Sequence, residues 1–124
     1  MNKVVRELKI GASGVRGVVG DALTPELIVN FACAFGTWCG AGPVVIGRDT
    51  RRSSAAFRSA VTSGLLATGC RVIDLGITPS PLLSFTVREL GARGGIAITG
   101  SHNDASWNAL KFFGPRGTYL STAE

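Results

Sequence analysis

The sequence predicts an α/β domain of three layers (α/β/α), in which helices cover a mixed, mostly parallel sheet. Three observations lead to this prediction. Short β-branched runs alternate with segments of helical periodicity, and glycines follow those segments. The chain has 124 residues, of which 45% are hydrophobic and 17% charged. The alternation is typical of parallel sheets, and the length and composition suit one domain with its own core.

The first part of the chain supplies two short strands and a helix. Leu8 to Ile10 and Val15 to Val19 are predicted strands on either side of a Gly-Ala-Ser-Gly turn. Thr24-Pro25 predicts a helix start, with threonine as the N-cap and proline at the first helical position. The apolar stripe of this helix recurs at helical spacing and consists of Leu27, Phe31, Phe35 and Trp38.

The middle of the chain alternates strand, helix, strand, helix and strand. The predicted strands are Val44 to Ile46, Arg71 to Leu75 and Ile96 to Ile98. Ser53 or Ser54 is predicted to cap the first of the two helices, and Ser80-Pro81 is predicted to start the second. This order predicts at least three parallel strands, joined by right-handed crossovers.

The last segment is a predicted hairpin. Ala109 to Phe113 and Thr118 to Leu120 flank a Gly-Pro-Arg-Gly turn. We expect the hairpin to add an antiparallel edge, which makes the sheet mixed.

Charge and aromatic content narrow the function classes. The net charge is +5, and four arginines lie between positions 48 and 58. Such a group indicates either a solvent-exposed helix start or a surface that attracts an anionic ligand. That ligand would be nucleic acid or a phosphorylated small molecule. Aromatic residues make up only 7% of the chain and most lie in apolar runs, so we expect no nucleic-acid partner.

The cysteines and the first residues indicate a cytoplasmic protein. Cys33, Cys39 and Cys70 form no Cys-x-x-Cys pair, and we expect reduced, mostly core thiols. The first ten residues alternate charged and apolar side chains, which is not the pattern of a signal peptide. No apolar run approaches the length of a membrane span, so we expect no membrane partner.

A serine loop follows the last predicted parallel strand. Ser101 falls just beyond the carboxyl end of that strand, where open α/β sheets bind ligands. The serine could be a hydrolase nucleophile, a phosphate-binding hydroxyl or a phosphoryl carrier. The Gly-x-Ser-x-Gly elbow of hydrolases is absent, and His102 is badly placed as the base of its immediate neighbour. The Gly-x-x-x-x-Gly-Lys-[Ser/Thr] phosphate loop is absent too.

Two basic residues accompany the serine. Lys111 lies ten positions on, within Ala-Leu-Lys-Phe-Phe, and is either snorkelling at a sheet edge or directed at an anion. Arg16 lies in a glycine-rich turn, which suits bidentate phosphate contact or a surface salt bridge.

Four blocks of sequence are similar to one enzyme family. Thr99 to Asn103, Thr-Gly-Ser-His-Asn, resembles the phosphoserine loop of the α-D-phosphohexomutases, which include phosphoglucomutase, phosphomannomutase and phosphoglucosamine mutase. Further blocks agree in order at Ser13 to Gly17, Gly47 to Arg51 and Trp107 to Phe112. The resemblance covers nearly the whole chain. It implies that residues 1–124 are the first, α/β domain of a longer mutase of four domains.

The resemblance also implies roles for the site residues. Ser101 carries a phosphoryl group, helps to ligate Mg²⁺ through it, and exchanges it with a hexose phosphate through a bisphosphorylated sugar. A glucose 1,6-bisphosphate-type activator belongs to that cycle. Arg16 and Lys111 match catalytic residues that stabilise charge and transfer protons. His102 is placed with this catalytic group because it helps to shape the site.

The remaining loop residues match phosphate-binding and structural positions. Asn103 also shapes the loop, and backbone N–H groups around Gly100 can cradle phosphate oxygens. In Gly47 to Arg51 we expect Asp49 to cap the following helix or to pair with Arg48 or Arg52.

Some features of the family are missing from the chain. Asp104 stands where the family loop usually has proline. The Asp-Gly-Asp-x-Asp-Arg metal loop is absent, so the other Mg²⁺ ligands would lie outside this chain. The expected partners are a phosphorylated glucose, mannose or glucosamine and the remaining domains. We expect the isolated domain to fold without mutase turnover. The alternatives are a non-catalytic phosphate- or anion-binding module of the same fold, and a plain structural domain.

Overall fold

A computed structural model describes residues 8–11, 14–101 and 103–120 of the chain. This part contains six strands and three helices. In chain order they are β1 (Lys9–Gly11), β2 (Gly14–Val18), α1 (Pro25–Cys39), β3 (Pro43–Arg48), α2 (Arg52–Ala67), β4 (Arg71–Ile77), α3 (Ser80–Leu90), β5 (Gly94–Ile98) and β6 (Trp107–Phe113).

The strands form one mixed sheet in the order β1-β2-β6-β5-β3-β4. Strand β3 is parallel to both of its neighbours, so Val44 lies between Val72 of β4 and Gly94 of β5. Strand β6 is antiparallel to both β5 and β2, and β1 is antiparallel to β2. Strands β2, β3, β4 and β5 therefore run in the same direction. The prediction of a mixed sheet with three adjacent parallel strands is confirmed.

The predicted antiparallel edge is wrong, because β6 lies inside the sheet. It is hydrogen-bonded to β2 on one side and β5 on the other. Its apolar side chains are buried on both faces, as an internal strand requires, with Leu110 at 0% and Phe113 at 4% exposure. The returning segment of the predicted hairpin forms only an isolated bridge, between Phe113 and Tyr119. The described sheet ends instead at β1 and β4.

Helices cover both faces of the sheet, which confirms the three layers. Val44 and Ile46 of β3 belong to the core cluster that contains residues of α1 and α2. Val45, which points to the opposite face, packs in a second cluster with Leu83 and Val87 of α3.

Two of the three helices begin where local sequence signals predict. The Oγ1 of Thr24 accepts the N–H of Leu27 at 3.3 Å and caps α1. Helix α3 begins at Ser80, as predicted. Helix α2 begins one residue before the predicted serines, after Arg51, and no side chain caps it. Ser54 lies inside its first turn, where the hydroxyl serves another contact. Within the described residues, no helix combines the length and apolarity needed to cross a membrane.

Candidate functional site

A cleft of about 250 Å³ opens beside the carboxyl end of β5. Its walls come from β2, from β6 and from the loop after β5, and the lining residues are Gly14, Arg16, Thr99, Gly100, Ser101, Asn103, Ala109 and Lys111. Five of the six predicted site residues thus line one cleft. The sixth, His102, lies outside the described residues.

The backbone of Ser101 has an uncommon conformation. Its φ of 53° lies in the left-handed region, where non-glycine residues are infrequent and strained. Its N–H donates to the Oγ1 of Thr99 at 3.1 Å, and the N–H of Asn103 donates to the carbonyl of Gly100 at 3.0 Å. The loop is therefore a tight turn that presents the exposed Ser101 side chain at the cleft.

Lys111 lies directly against this serine. Its Nζ donates to the Oγ of Ser101 at 2.5 Å. Burial lowers the pKa of the Lys111 ammonium group, and the nearby charge of Arg16 lowers that pKa further. An ammonium group with a lowered pKa gives up its proton more readily than an ordinary lysine. Lys111 can therefore both neutralise an anion and donate a proton at this position.

Arg16 comes to the cleft from the neighbouring strand. On β2 it pairs with Ala109 of β6, two residues before Lys111, so both cations lie on the same face of the sheet. The sequence separates these residues by 95 positions. The sheet pairing between β2 and β6 is what brings them together. Two adjacent cations and a serine hydroxyl form a site suited to a phosphate group.

Asp49 holds the serine loop from the side of β3. Its Oδ2 accepts the N–H of Gly100 at 3.0 Å and Nη1 of Arg51 at 2.6 Å. Its Oδ1 accepts the N–H of Arg51 at 3.1 Å and the Oγ of Ser54. Burial alone would raise the pKa of this carboxyl group, but the hydrogen bonds from Ser54, Gly100 and Arg51 outweigh burial and lower the pKa below its usual value.

The sequence prediction for Asp49 was wrong in its partners. The carboxylate pairs with Arg51, and the Nη1 of Arg48 donates only to the main-chain oxygen of Asp49. Arg51 is the N-cap residue of α2, and no described side chain, that of Asp49 included, caps this helix. The carboxylate of Asp49 instead bridges the N–H of Gly100 and the hydroxyl of Ser54 in the first turn of α2.

Arg51 contacts the same loop at its other end. Its Nη2 donates to the main-chain oxygen of Asn103, and its guanidinium group lies over Gly100. A Cβ atom at position 100 would be 2.4 Å from the Cζ of Arg51. Glycine is therefore required at position 100 as long as Arg51 keeps this place.

Asn108 connects β6 to the start of α2. This side chain is fully buried, and its Nδ2 donates to the hydroxyls of Ser53 at 2.8 Å and Ser54 at 2.9 Å. Its Oδ1 accepts the N–H of Ala109 at 2.8 Å. The sequence reasoning gave no role to Asn108. It treated Ser54 only as a candidate helix cap and Arg51 only as a member of the arginine group and of the Gly47–Arg51 block. The available signals were an asparagine in an apolar strand and two serines just after the Gly-Arg-Asp-Thr-Arg block.

Asp104, where the family pattern has proline, closes the loop by hydrogen bonds. Its Oδ1 accepts the N–H and the hydroxyl of Ser106, and these bonds lower the pKa of the Asp104 carboxyl group. Its main-chain oxygen accepts the N–H of Trp107 at 3.1 Å. The aspartate thus forms a local turn at a position where proline would restrict the backbone.

The described residues alone form no metal centre. Among them, no group of three histidine, cysteine or carboxylate side chains could hold an ion. The carboxylate of Asp49, which contacts the serine loop, already accepts four hydrogen bonds. The three thiols are free, as expected, and burial together with the neighbouring Cys70 raises the pKa of Cys39 to about 12. Such a thiol stays protonated and inert.

Comparisons with known proteins agree on one family. Residues 7–124 match the family model described as phosphoglucomutase/phosphomannomutase, alpha/beta/alpha domain I. The "Probable phosphoglucosamine mutase" of Thermococcus kodakarensis is 47% identical over 115 residues, which are 92% of this chain and 26% of that protein. The "Phosphoglucosamine mutase" of Prochlorococcus marinus is 42% identical over 123 residues, 95% of this chain and 25% of that protein.

A solved structure agrees with the sequence relatives. A crystal structure described as a phosphomannomutase from Thermus thermophilus superposes with a TM-score of 0.85 at 36% identity. The match covers 94% of this chain and 28% of that one. The chain thus spans about a quarter of the length of the relatives that it matches.

Proposed function

Because the chain belongs to the phosphoglucomutase/phosphomannomutase family and matches its α/β/α domain I, we propose that it is the phosphoryl-carrying domain of a hexose phosphate mutase. Ser101 is the carrier. The contact of 2.5 Å between the Nζ of Lys111 and the Oγ of Ser101 is the observation that most supports this role.

The proposed reaction moves a phosphoryl group from Ser101 to a sugar monophosphate and back. A sugar hydroxyl oxygen forms a bond to phosphorus, and the bond from phosphorus to the Oγ of Ser101 breaks. The hydroxyl proton leaves the sugar, and the serine oxygen gains a proton. The bisphosphorylated sugar then reorients within the site, and its other phosphoryl group is transferred to Ser101. Free glucose 1,6-bisphosphate would act as an activator because it can phosphorylate Ser101 directly.

Lys111 and Arg16 supply the charge that this reaction needs. Phosphoryl transfer depends mainly on position and on neutralisation of charge at the transferred group. Two cations beside the serine oxygen can stabilise the phosphoryl oxygens. Lys111, whose pKa is lowered, is placed to protonate the Oγ of Ser101 as that oxygen leaves.

The loop residues would bind and orient the phosphoryl group. Gly100 and Asn103 line the cleft beside Ser101. The predicted cradle of backbone N–H groups is occupied within the chain, because those of Gly100, Ser101 and Asn103 donate to Asp49, Thr99 and Gly100. His102 keeps its predicted role as a site-shaping catalytic residue.

Mg²⁺ belongs to the proposed enzyme, but the described residues of this chain do not fit a metal site by themselves. A phosphoryl group on Ser101 would contribute an oxygen ligand. We place the remaining ligands in other domains of the enzyme, because the family relatives are about four times as long as this chain.

The substrate is a phosphorylated hexose, and glucosamine phosphate is the first to test because the similar relatives carry that name. Glucose and mannose phosphates remain in the proposal. We also propose a cytoplasmic enzyme. The 124 residues alone should lack mutase turnover, since the sugar-recognition and metal loops lie in other domains. Turnover of hexose 1-phosphate by the purified 124-residue chain would contradict this.

Substitution of the serine in the full-length enzyme tests the proposed function. Ser101→Ala should abolish conversion of glucosamine 6-phosphate, mannose 6-phosphate and glucose 6-phosphate to the 1-phosphates, with Mg²⁺ and the matching bisphosphate present. Ser59→Ala, an exposed serine of α2, is the control and should keep full activity. An unchanged rate in Ser101→Ala would refute the proposal. An inactive wild-type enzyme that binds hexose phosphates more weakly after Ser101→Ala would instead support the anion-binding module.

A further inference from the structure

A buried polar network lies beside the serine loop, outside the residues placed in the chemistry. It joins Asn108, Ser54, Asp49 and Arg51 by direct hydrogen bonds. We propose that Asp49 and Arg51 are positioning residues, which hold the loop so that the Oγ of Ser101 meets Lys111 in the geometry for phosphoryl transfer. This inference rests on the proposed function.

The two residues hold the loop at both ends. Asp49 accepts the N–H of Gly100, the residue before the serine, at 3.0 Å. Arg51 donates to the carbonyl of Asn103, two residues after the serine. The pair is itself joined by an ion pair of 2.6 Å and by the N–H of Arg51. The segment from Gly100 to Asn103 is therefore held at both ends by residues of the turn after β3.

The strain at Ser101 requires such a restraint. A left-handed non-glycine residue persists only where its surroundings hold it in place. The other local bonds, from Ser101 to Thr99 and from Asn103 to Gly100, are internal to the loop. Asp49 and Arg51 supply restraint from the turn that follows the parallel strand β3, and the four central residues of that strand are buried in the core.

Arginine suits this position better than lysine would. Its planar group bonds Asp49 and Asn103 with two different nitrogens and covers Gly100 with its face. A lysine ammonium is a point charge on a flexible stem and has no such face. The Nε of Arg51 is buried without a hydrogen-bond partner in the described structure. The Nε–H group of Arg51 thus stays without a partner among the described residues, while Nη1 and Nη2 make the contacts with Asp49 and Asn103.

A second arginine–aspartate pair, between α2 and β4, provides a matched control. Arg58 of α2 donates to Asp74 of β4 at 2.8 Å, and its side chain is 41% exposed, compared with 18% for Arg51. The described structure gives this pair no contact with the serine loop. A pair that only stabilises the fold should behave like Arg58 and Asp74.

The kinetic experiment compares the two pairs in the full-length enzyme. Arg51→Lys and Asp49→Asn should lower kcat by about 10²-fold, as expected when a reacting group is misplaced. KM should change by less than about threefold, because these residues do not line the cleft. Arg58→Lys and Asp74→Asn should leave both constants within about twofold of wild type, as for exposed ion pairs. Millimolar guanidinium chloride, but not sodium chloride, should restore part of the activity of Arg51→Ala.

Amide hydrogen exchange in the full-length enzyme separates failure of this inference from failure of the proposed function. Arg51→Lys and Asp49→Asn should speed exchange at Gly100 and Asn103 while amides in the core of β5 stay protected. An inactive wild-type enzyme would refute the mutase proposal, and the exchange data would still decide whether the pair holds the loop. Unchanged exchange at the loop, or equal kcat losses in the Arg51 and Arg58 variants, would overturn the inference.

Discussion

At the scale of single residues, the described site depends on a few side chains whose ordinary behaviour is altered by their surroundings. Lys111 has a lowered pKa because it is half-buried and faces Arg16. Ser101 has a left-handed backbone, and Gly100 has no room for a side chain. The sequence identified all three residues. It could not indicate the cause of their properties, because each cause is a contact with a distant part of the chain.

The altered pKa of Lys111 predicts a pH-dependent cost in stability. A lysine whose pKa is lowered on folding binds protons more weakly in the folded state, so its charge destabilises the fold at neutral pH. The cost is fully present below the folded pKa and disappears as the pH rises past the unfolded value of about 10.4. Lys111→Met should therefore raise the melting temperature at pH 7, and this gain should shrink as the pH approaches that value. Thermal unfolding monitored by circular dichroism at several pH values checks this. A gain that grows with pH would contradict the assignment.

Gly100 and Arg51 should be energetically coupled. Gly100→Ala places a methyl group where the guanidinium of Arg51 lies, and overpacking of this kind costs roughly 1–3 kcal/mol. In an Arg51→Ala background the same change should cost much less, since the methyl group then has space. Urea denaturation of the four proteins of this double-mutant cycle measures the coupling. Additive effects would show that the guanidinium does not fill this space.

At the scale of secondary-structure elements, the periodicity of the sequence predicted the helices and the three parallel strands. It did not predict the order of the strands in the sheet. The periodicity of α1 and the β-branched run of β3 are local signals, and both elements form where predicted. The predicted stripe of α1 was partly wrong, because Trp38 is exposed and the helix buries Ile28 and Ala32 beside Phe35. The place of β6 depends on which strands pair with it, and its own sequence does not encode that. The apolar Ala-Leu-Lys-Phe-Phe run is compatible with either an edge strand or an internal strand. Pairing with β2 makes β6 an internal strand, and the same pairing brings Arg16 close to Lys111.

Asn108 should stabilise the junction between β6 and α2. Asn108→Ala leaves the hydroxyls of Ser53 and Ser54 without their amide donor, and loss of such buried partners costs roughly 1–3 kcal/mol. Asn30→Ala, at an exposed position of α1, is the control and should change stability by less than about 0.5 kcal/mol. Chemical denaturation checks both variants, and equal effects would show that the buried amide contributes nothing of its own.

At the scale of the whole molecule, the fold gathers the candidate site from distant segments of the chain. The cations come from β2 and β6, the serine from the loop after β5, and the restraints from the turn after β3. This assembly needs the complete sheet. The chain spans only about a quarter of the length of its relatives. Under the proposed function, it forms one wall of a larger active site.

The most direct test of this account is to map phosphate in the full-length enzyme after incubation with Mg²⁺ and glucose 1,6-bisphosphate. Peptide mass spectrometry should find one phosphoryl group, on Ser101, and addition of hexose monophosphate should remove it at a rate at least equal to turnover. A phosphoryl group on a different residue, or full turnover with Ser101 unmodified, would contradict the account.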